Sequence, residues 1–234
     1  MIKVCVIADV HGTTKFLDCY NDILKNDNDC KYIIVLGDHF DPYEEIPVDE
    51  LIEKYNEFIN ISKKDNRIIS CLGNHDLATY VINDSTNRTE RFHTLIQKIS
   101  DAVIPNLKDS YLAFKIGNYI FSHAGVSKVW LEDIGEEYAN RIMNNCKGWT
   151  QEELDRIVGF YPEDFSYYGD NVHQGCTWIR PDALNNSAID GYNQVVGHTQ
   201  VYDITKIKMK NGMDLWLTDN QRRSEYLALE IEGE

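Results

Sequence analysis

The chain has 234 residues, of which 43% are hydrophobic, and its formal net charge is −15. This length suits one α/β domain, and no run approaches the ~20 apolar residues that span a bilayer. The acidic charge disfavours nucleic acids and anionic membranes, so we expect neither as a partner.

Strands and helices alternate in the first half of the chain. Apolar runs over 2–8, 32–36 and 67–72 are typical of strands that are buried on both faces. The segments between them, 14–25 and 48–63, are helix-like, and apolar residues of the second fall on one face at helical spacing. We therefore expect an α/β layered fold, and we interpret the N-terminal run as a strand rather than a signal peptide.

More strands are predicted in the second half. Residues 111–116 and 118–122 flank Gly117 and predict a hairpin or two edge-paired strands. Later strands are predicted at 194–197, 213–218 and 225–231. These elements indicate a second sheet that packs face to face with the first.

The segment between these groups of strands differs in composition. Residues 127–193 are rich in acidic and aromatic side chains, and Thr150 with Glu153 predicts a capping box at the start of a helix. We interpret the segment as a helical cap without a core of its own. It would be inserted into a single domain of residues 1–234.

Five apolar runs end in residue types that bind metals. The endings are Asp9-Val10-His11, Asp38, Asn74-His75, His123 and Gly197-His198. One histidine after a strand is usually structural, but five such endings in one chain are difficult to explain in that way. Ligands gather at strand ends because the strand fixes the backbone while the loop leaves the side chain free.

The motifs ADVHG (8–12), GDHFD (37–41), GNHD (73–76), SHAG (122–125) and GHT (197–199) together resemble the calcineurin-type metallophosphoesterases. The bacterial and phage phosphoprotein (Ser/Thr) phosphatase branch is the most similar. The resemblance implies a metallophosphoesterase fold, in which two packed mixed β-sheets are flanked by helices in a four-layer αββα sandwich.

The resemblance also implies two divalent cations per chain. It places Asp9, His11 and Asp38 on the first cation, and Asp38, Asn74, His123 and His198 on the second. Asp9 and His11 alternate across one residue, so an extended backbone would project both to one side. Mixed nitrogen and oxygen ligands favour Mn²⁺, with Fe, Zn, Ni or Mg as alternatives. In this family a hydroxide that bridges two such ions attacks phosphorus directly.

His75 is the predicted general acid, because an imidazole near its solution pKa can donate a proton at neutral pH. Such an acid needs a carboxylate to orient it. The resemblance assigns this role to Asp41. Asp76 is the alternative by position, but adjacent side chains usually diverge, so we expect Asp76 to brace the loop.

The chain departs from the branch pattern directly after Asp41, whereas its last motif agrees with that branch. Pro42-Tyr43 follows Asp41 where the Ser/Thr phosphatases have Arg-Gly, so another arginine must bind phosphate if one does. Arg180 in TWIRP is the first candidate for this phosphate-binding arginine, ahead of Arg222 and Arg223, although it could equally be a surface residue stacked on Trp178. Asn74, besides being a metal ligand, is the other predicted substrate-binding residue. Gln200 stands where many phosphodiesterases have a second histidine, which favours monoester hydrolysis.

We therefore predict a serine/threonine protein phosphatase or, failing that, another phosphomonoesterase. Dinucleoside polyphosphate or nucleotide hydrolysis, or phosphodiester hydrolysis, is the alternative within the fold. A metal-poor binding scaffold is the alternative from another class. The substrate would be a phosphorylated protein or a small phosphate ester, and the sequence leaves the oligomeric state open. Six scattered cysteines favour reduced thiols and hence a cytoplasmic location.

Three histidines remain outside the proposed centre. We expect His39 to lie behind the ligands or at the rim, and His93 to be structural or solvated. His173, in the predicted cap, is the weakest candidate for contact with the leaving group.

Overall fold

Within residues 1–81, 96–158, 166–220 and 224–232, which the computed structural model describes, the chain forms nine strands and eight α-helices. The strands are β1 Ile2–Ile7, β2 Tyr32–Val35, β3 Ile68–Ser70, β4 Ala113–Ile116, β5 Tyr119–Ser122, β6 Asn193–Gln200, β7 Thr205–Lys208, β8 Asp214–Asp219 and β9 Leu227–Ile231. The helices are α1 Lys15–Asn26, α2 Val48–Ser62, α3 Asn74–Val81, α4 Ile96–Val103, α5 Lys128–Ile134, α6 Glu136–Met143, α7 Gln151–Ile157 and α8 Pro181–Asn186. A 3₁₀ helix, Ile104–Asp109, follows α4.

The strands form two mixed sheets. The first has the order β3-β2-β1-β9, with β9 antiparallel to the parallel strands β1, β2 and β3. The second has the order β4-β5-β6-β8-β7, in which β5, β6 and β8 are parallel and both edge strands are antiparallel. Because parallel neighbours end at the same edge of a sheet, this topology brings the loops after β1 and β2 together, and those after β5 and β6 likewise.

The two faces of the first sheet pack against different layers. Val4 and Val6 of β1 belong to an apolar cluster with Phe114, Phe121 and Val195 of the second sheet. The intervening residues of β1 pack with helices α1 and α2 on the opposite side. This alternation follows from the period of two along a strand. The outer face of the second sheet carries α8, and α6 packs against β4.

The predicted fold class is confirmed: two packed mixed sheets are flanked by helices. The hairpin is also confirmed, because β4 and β5 pair antiparallel across Gly117. Two expectations were incomplete. The sequence did not predict β7, and the last strand, β9, pairs with β1 in the first sheet rather than extending the second.

Helices α5 to α8 lie between β5 and β6, in the segment that was interpreted as a cap. The capping box of Thr150 and Glu153 is present at the start of α7. Trp130 and Leu154 are buried in the same apolar cluster as Ile120 of β5. The division into one domain with an inserted cap stays a prediction. No helix in the described part of the chain is both long and apolar enough to cross a membrane.

Candidate metal centre and active site

The loops after β1 and β2 run side by side and are held by backbone hydrogen bonds. The N–H of His11 donates to the carbonyl of Asp38 at 2.6 Å, and the N–H of Gly12 donates to that of His39 at 2.9 Å. Asp9, His11 and Asp38 all have positive φ, between 46° and 52°. This left-handed conformation is uncommon for residues other than glycine, and clusters of it occur at functional sites.

The sequence predicted that Asp9 and His11 project to one side because the backbone there is extended, and the extended backbone is wrong. Strand β1 ends at Ile7, and both residues turn off the strand in the left-handed conformation. The two side chains nevertheless reach the same place. The paired loops hold the strained backbone, which an isolated strand would not do.

Small residues in the motifs make room for the carboxylates. A Cβ atom at Gly73 would overlap Oδ1 of Asp38, and a Cβ atom at Gly197 would overlap Oδ2 of Asp9. The backbone N–H of His198 in turn donates to both carboxylate oxygens of Asp9, at 3.0 and 3.1 Å. Each of these two glycines therefore makes room for a ligand that another motif contributes.

Asp38 lies between two histidines. Its Oδ2 is 3.3 Å from Nε2 of His123 and 3.8 Å from Nε2 of His11. Its Oδ1 accepts a hydrogen bond from the backbone N–H of His75 at 2.9 Å. This position divides the centre into a first half, made of Asp9, His11 and Asp38, and a second half, made of Asp38, Asn74, His123 and His198.

Electron-pair donors converge in the second half. Nδ1 of His123 donates to the carbonyl of Leu36 at 3.0 Å, and burial lowers the pKa of His123 well below its usual value. The ring is therefore neutral, with its proton on Nδ1, and its Nε2 presents a lone pair. That nitrogen lies 2.8 Å from Oδ1 of Asn74 and 3.2 Å from Nδ1 of His198. A cation is the natural partner for the facing lone pairs of His123 and Asn74, with a nitrogen of His198 beside them.

Burial makes the charges of the first half costly without a counter-ion. Asp9 and Asp38 are each 2% exposed. Burial, followed by neighbouring carboxylates, raises the pKa of both groups well above the usual range. Burial also lowers the pKa of His11 to about 4. A divalent cation would favour the ionised carboxylates and the neutral imidazole together.

These donor sets fit two cations. Ligand atoms of Asp9, His11 and Asp38 lie within 4.8 Å of one another, and so do those of Asp38, His123 and His198. Asp38 belongs to both groups, as a bridging carboxylate would. The structure thus brings all six predicted metal ligands to one place, while their roles as ligands stay predictions.

His75 lies beside this centre. Its Nε2 is 4.0 Å from Oδ2 of Asp38, and its Nδ1 is 3.3 Å from Oδ2 of Asp41, at an angle that does not make a hydrogen bond. The carboxylate of Asp76 faces away from His75 and accepts the backbone N–H groups of Asp38, His39 and Gly73 at 2.8 to 2.9 Å. Asp76 is therefore the brace of this loop, as the sequence predicted.

The model of one protein family matches residues 2–228, and it describes the calcineurin-like phosphoesterases. The chain belongs to this family. No curated protein matches the sequence significantly.

Solved structures of the same fold include a cold-active protein-tyrosine phosphatase of a psychrophilic Shewanella species. It is 18% identical with a TM-score of 0.55, and the match covers 94% of this chain and 72% of that one. A metallophosphoesterase from Sphaerobacter thermophilus is 18% identical with a TM-score of 0.49, over 98% and 84% of the two chains. The likeness to the Shewanella phosphatase shows a shared fold, and at 18% identity it leaves the substrate of this calcineurin-like phosphoesterase open.

Arg180 reaches the rim of the phosphoesterase centre. One of its terminal nitrogens, Nη1, donates to the carbonyl of His198 at 2.6 Å and to Oγ1 of Thr199 at 3.2 Å. Burial lowers the pKa of its guanidinium, and the carboxylates of the centre oppose this effect. The other predicted arginines, Arg222 and Arg223, and also His93, lie outside the described residues.

The histidines expected outside the centre occupy different environments. His39 is 5% exposed, and its ring packs on Phe58 with centroids 4.2 Å apart, behind the ligand loop. Nδ1 of His173 lies 2.7 Å from Oδ2 of Asp133 on α5. Both side chains therefore contact residues that are not among the predicted metal ligands.

Two buried charged residues near the ligands were missed. Asp219 ends β8 and is 1% exposed; after burial, its charge is the largest influence that raises the pKa of Asp9. Lys15 at the start of α1 is 4% exposed and opposes that shift. Asp219 follows the predicted strand 213–218, so the rule of polar strand ends could have found it. Lys15 lies in an ordinary helical pattern and gave no signal.

Proposed function

We propose that this calcineurin-like phosphoesterase is a metal-dependent phosphomonoesterase of the phosphoprotein phosphatase type, which removes phosphate from serine or threonine side chains. The observation that supports it most is the position of Asp38 between the two halves of the centre, with Oδ2 within 3.8 Å of both His11 and His123. This arrangement suits a pair of divalent cations, Mn²⁺ foremost, held by one shared carboxylate.

Bound cations would supply the positive charge that withdraws electrons from phosphorus and the acidity that makes water a nucleophile at neutral pH. His75 would transfer a proton to the leaving alkoxide. Burial and the neighbouring His11 lower the pKa of His75 to about 3, so its ring is neutral before substrate binds. When substrate is bound, the anionic phosphoryl group and the carboxylate of Asp41, 3.3 Å from Nδ1, would favour uptake of a proton from water by the ring, which would then pass it to the leaving alkoxide.

Two sequence features support a monoester rather than a diester. Gln200 replaces the second histidine of the last motif, so the first half lacks one nitrogen ligand. The net charge of −15 would also repel a nucleic acid. Arg180 is the proposed cation for the substrate phosphate, because its Nη1 is held on His198 and Thr199 at the rim and, within the described residues, its other terminal nitrogen has no hydrogen bond.

A comparison of substrates tests this proposal. The protein loaded with Mn²⁺ is assayed on a phosphoserine peptide, p-nitrophenyl phosphate, bis-(p-nitrophenyl) phosphate and a dinucleoside polyphosphate, with Asp38→Asn as the inactive control. We expect the two monoesters to give the highest kcat/KM. A preference for the diester or the dinucleotide would overturn the assignment, and stoichiometric metal without turnover would indicate a binding scaffold.

A further inference from the structure

Tyr43 extends from solvent to the first half of the centre. The residue is 51% exposed, yet its hydroxyl lies 3.1 Å from Nε2 of His11. The two rings are tilted by 55°, with centroids 4.7 Å apart. The ring therefore forms part of the rim, while the hydroxyl faces the buried ligands.

The direction of this hydrogen bond is set by the other side of the His11 ring. Nδ1 of His11 lies 3.1 Å and 3.0 Å from the carbonyl oxygens of Phe40 and Asp41, so Nδ1 carries the proton. Nε2 is then an acceptor, and the phenol of Tyr43 donates to it. The amide nitrogen of Gln200 donates to the same phenol oxygen at 3.5 Å, which turns the hydroxyl proton toward His11.

Cation binding would change this arrangement. The lone pair on Nε2 of His11 cannot both accept the phenol proton and bind a metal ion. Once the cation takes that lone pair, the phenol of Tyr43 can no longer donate to His11, and its proton can turn to another acceptor. The oxygens of a phosphoryl group bound at the same cations would be strong acceptors nearby.

We propose that Tyr43 is a substrate-binding residue, whose hydroxyl passes from His11 to a phosphoryl oxygen of the bound ester, and that Gln200 positions it. The inference rests on the proposed phosphomonoesterase function. Tyr43, in the segment where the chain departs from the branch pattern, and Gln200 of the last motif would then act together. A neutral donor would serve where related phosphatases have an arginine.

Binding of inorganic phosphate tests the proposal without catalysis. The protein and its Tyr43→Phe variant are loaded with Mn²⁺, their metal content is measured, and the Kd for inorganic phosphate is determined by calorimetry. We expect unchanged metal content and a Kd raised about tenfold, the effect of losing one hydrogen bond to a charged group. Tyr168→Phe makes the same change at a more exposed tyrosine, which is 80% exposed, and it should leave the Kd unchanged.

Gln200 supplies a second test. Gln200→Ala should raise the Kd less than Tyr43→Phe does, and the double variant should be no weaker than Tyr43→Phe, because the amide acts only through the phenol. Additive effects would contradict this positioning role.

Each remaining result has a separate meaning. An unchanged Kd in Tyr43→Phe would overturn the inference while leaving the proposed function intact. Loss of metal from Tyr43→Phe would also overturn it, since the phenol would then be a metal ligand. Failure of the metal-loaded wild-type protein to bind phosphate or to hydrolyse any monoester would refute the proposed function itself, and the inference with it.

Discussion

The two halves of the candidate metal centre are built in different ways. In the first half all three ligands, Asp9, His11 and Asp38, have left-handed backbones and turn off two neighbouring strands, whereas in the second half only the shared Asp38 and His198 do so. In the second half, the side chains of Asn74 and His198 both lie within 3.2 Å of Nε2 of His123. The first half also has a substitute partner, because the phenol of Tyr43 occupies Nε2 of His11.

Because of this difference, the two sites should differ in their affinity for a cation. The lone pairs of the second half face one another with a cation as their natural partner. One lone pair of the first half is already satisfied by a hydrogen bond, which a cation must displace. We therefore expect the second half to bind its cation more tightly, with Asp38 as the residue that couples the two halves.

Replacement of Asp38 should have the largest effect. Asp38→Asn removes the shared charge, so we expect both cations to be lost and turnover to be abolished. The affinity should fall by more than the ~10–100-fold that is typical for residues behind the ligands. Metal content per chain after gel filtration measures this. His11→Ala and His198→Ala are the matched variants, and each is expected to lose one cation. If Asp38→Asn retained two cations, Asp38 would not be a ligand that the two halves share.

Replacement of His75 should affect turnover without affecting either half. His75→Asn is expected to lower kcat by ~10²–10⁴-fold, the usual contribution of a general acid, while metal content stays at the wild-type level. Asp41→Asn should lower kcat in the same direction by less, because it removes only the orienting carboxylate. Wild-type kcat in His75→Asn would exclude this residue from proton transfer.

The smallest effect concerns the pH dependence of stability in the metal-free protein. The pKa of His75 is about 3 in the folded chain, against an ordinary value of 6.5. Between these values the unfolded chain holds the extra proton, so this group makes the protein less stable as the pH falls. Relative to His75→Asn, the free energy of unfolding of the wild type should drop by about 1 kcal/mol per pH unit below pH 6.5.

Urea unfolding at several pH values gives these free energies. Asp9 and Asp38 shift in the opposite sense, because their folded-state pKa values are raised, but they are present in both proteins. The difference between wild type and variant therefore isolates His75. A difference that does not change with pH would mean that the imidazole is as easily protonated in the folded chain as in the unfolded one.

The sequence predicted most of the elements because their signals are local. Apolar runs and helical spacing placed helices at 14–25 and 48–63, close to the observed Lys15–Asn26 and Val48–Ser62. Strand β7 was missed since Thr205–Lys208 alternates in burial without a strong apolar run. Within the segment that the sequence predicted as a helical cap, Gly135 with a φ of 87° separates α5 from α6.

By itself, the sequence determined which residue types stand at the strand ends and in what order, and these sufficed for the family and for the candidate ligands. Only the tertiary structure decided how those ligands meet. The contact of His198 with Asp9 joins opposite ends of the chain, and the left-handed turns at Asp9 and His11 depend on a neighbouring loop. The pairing of Tyr43 with Gln200 likewise needs a loop and the end of a strand that are far apart in the sequence. Local patterns fix periodicity and element ends, whereas the meeting of distant side chains depends on which strands pair.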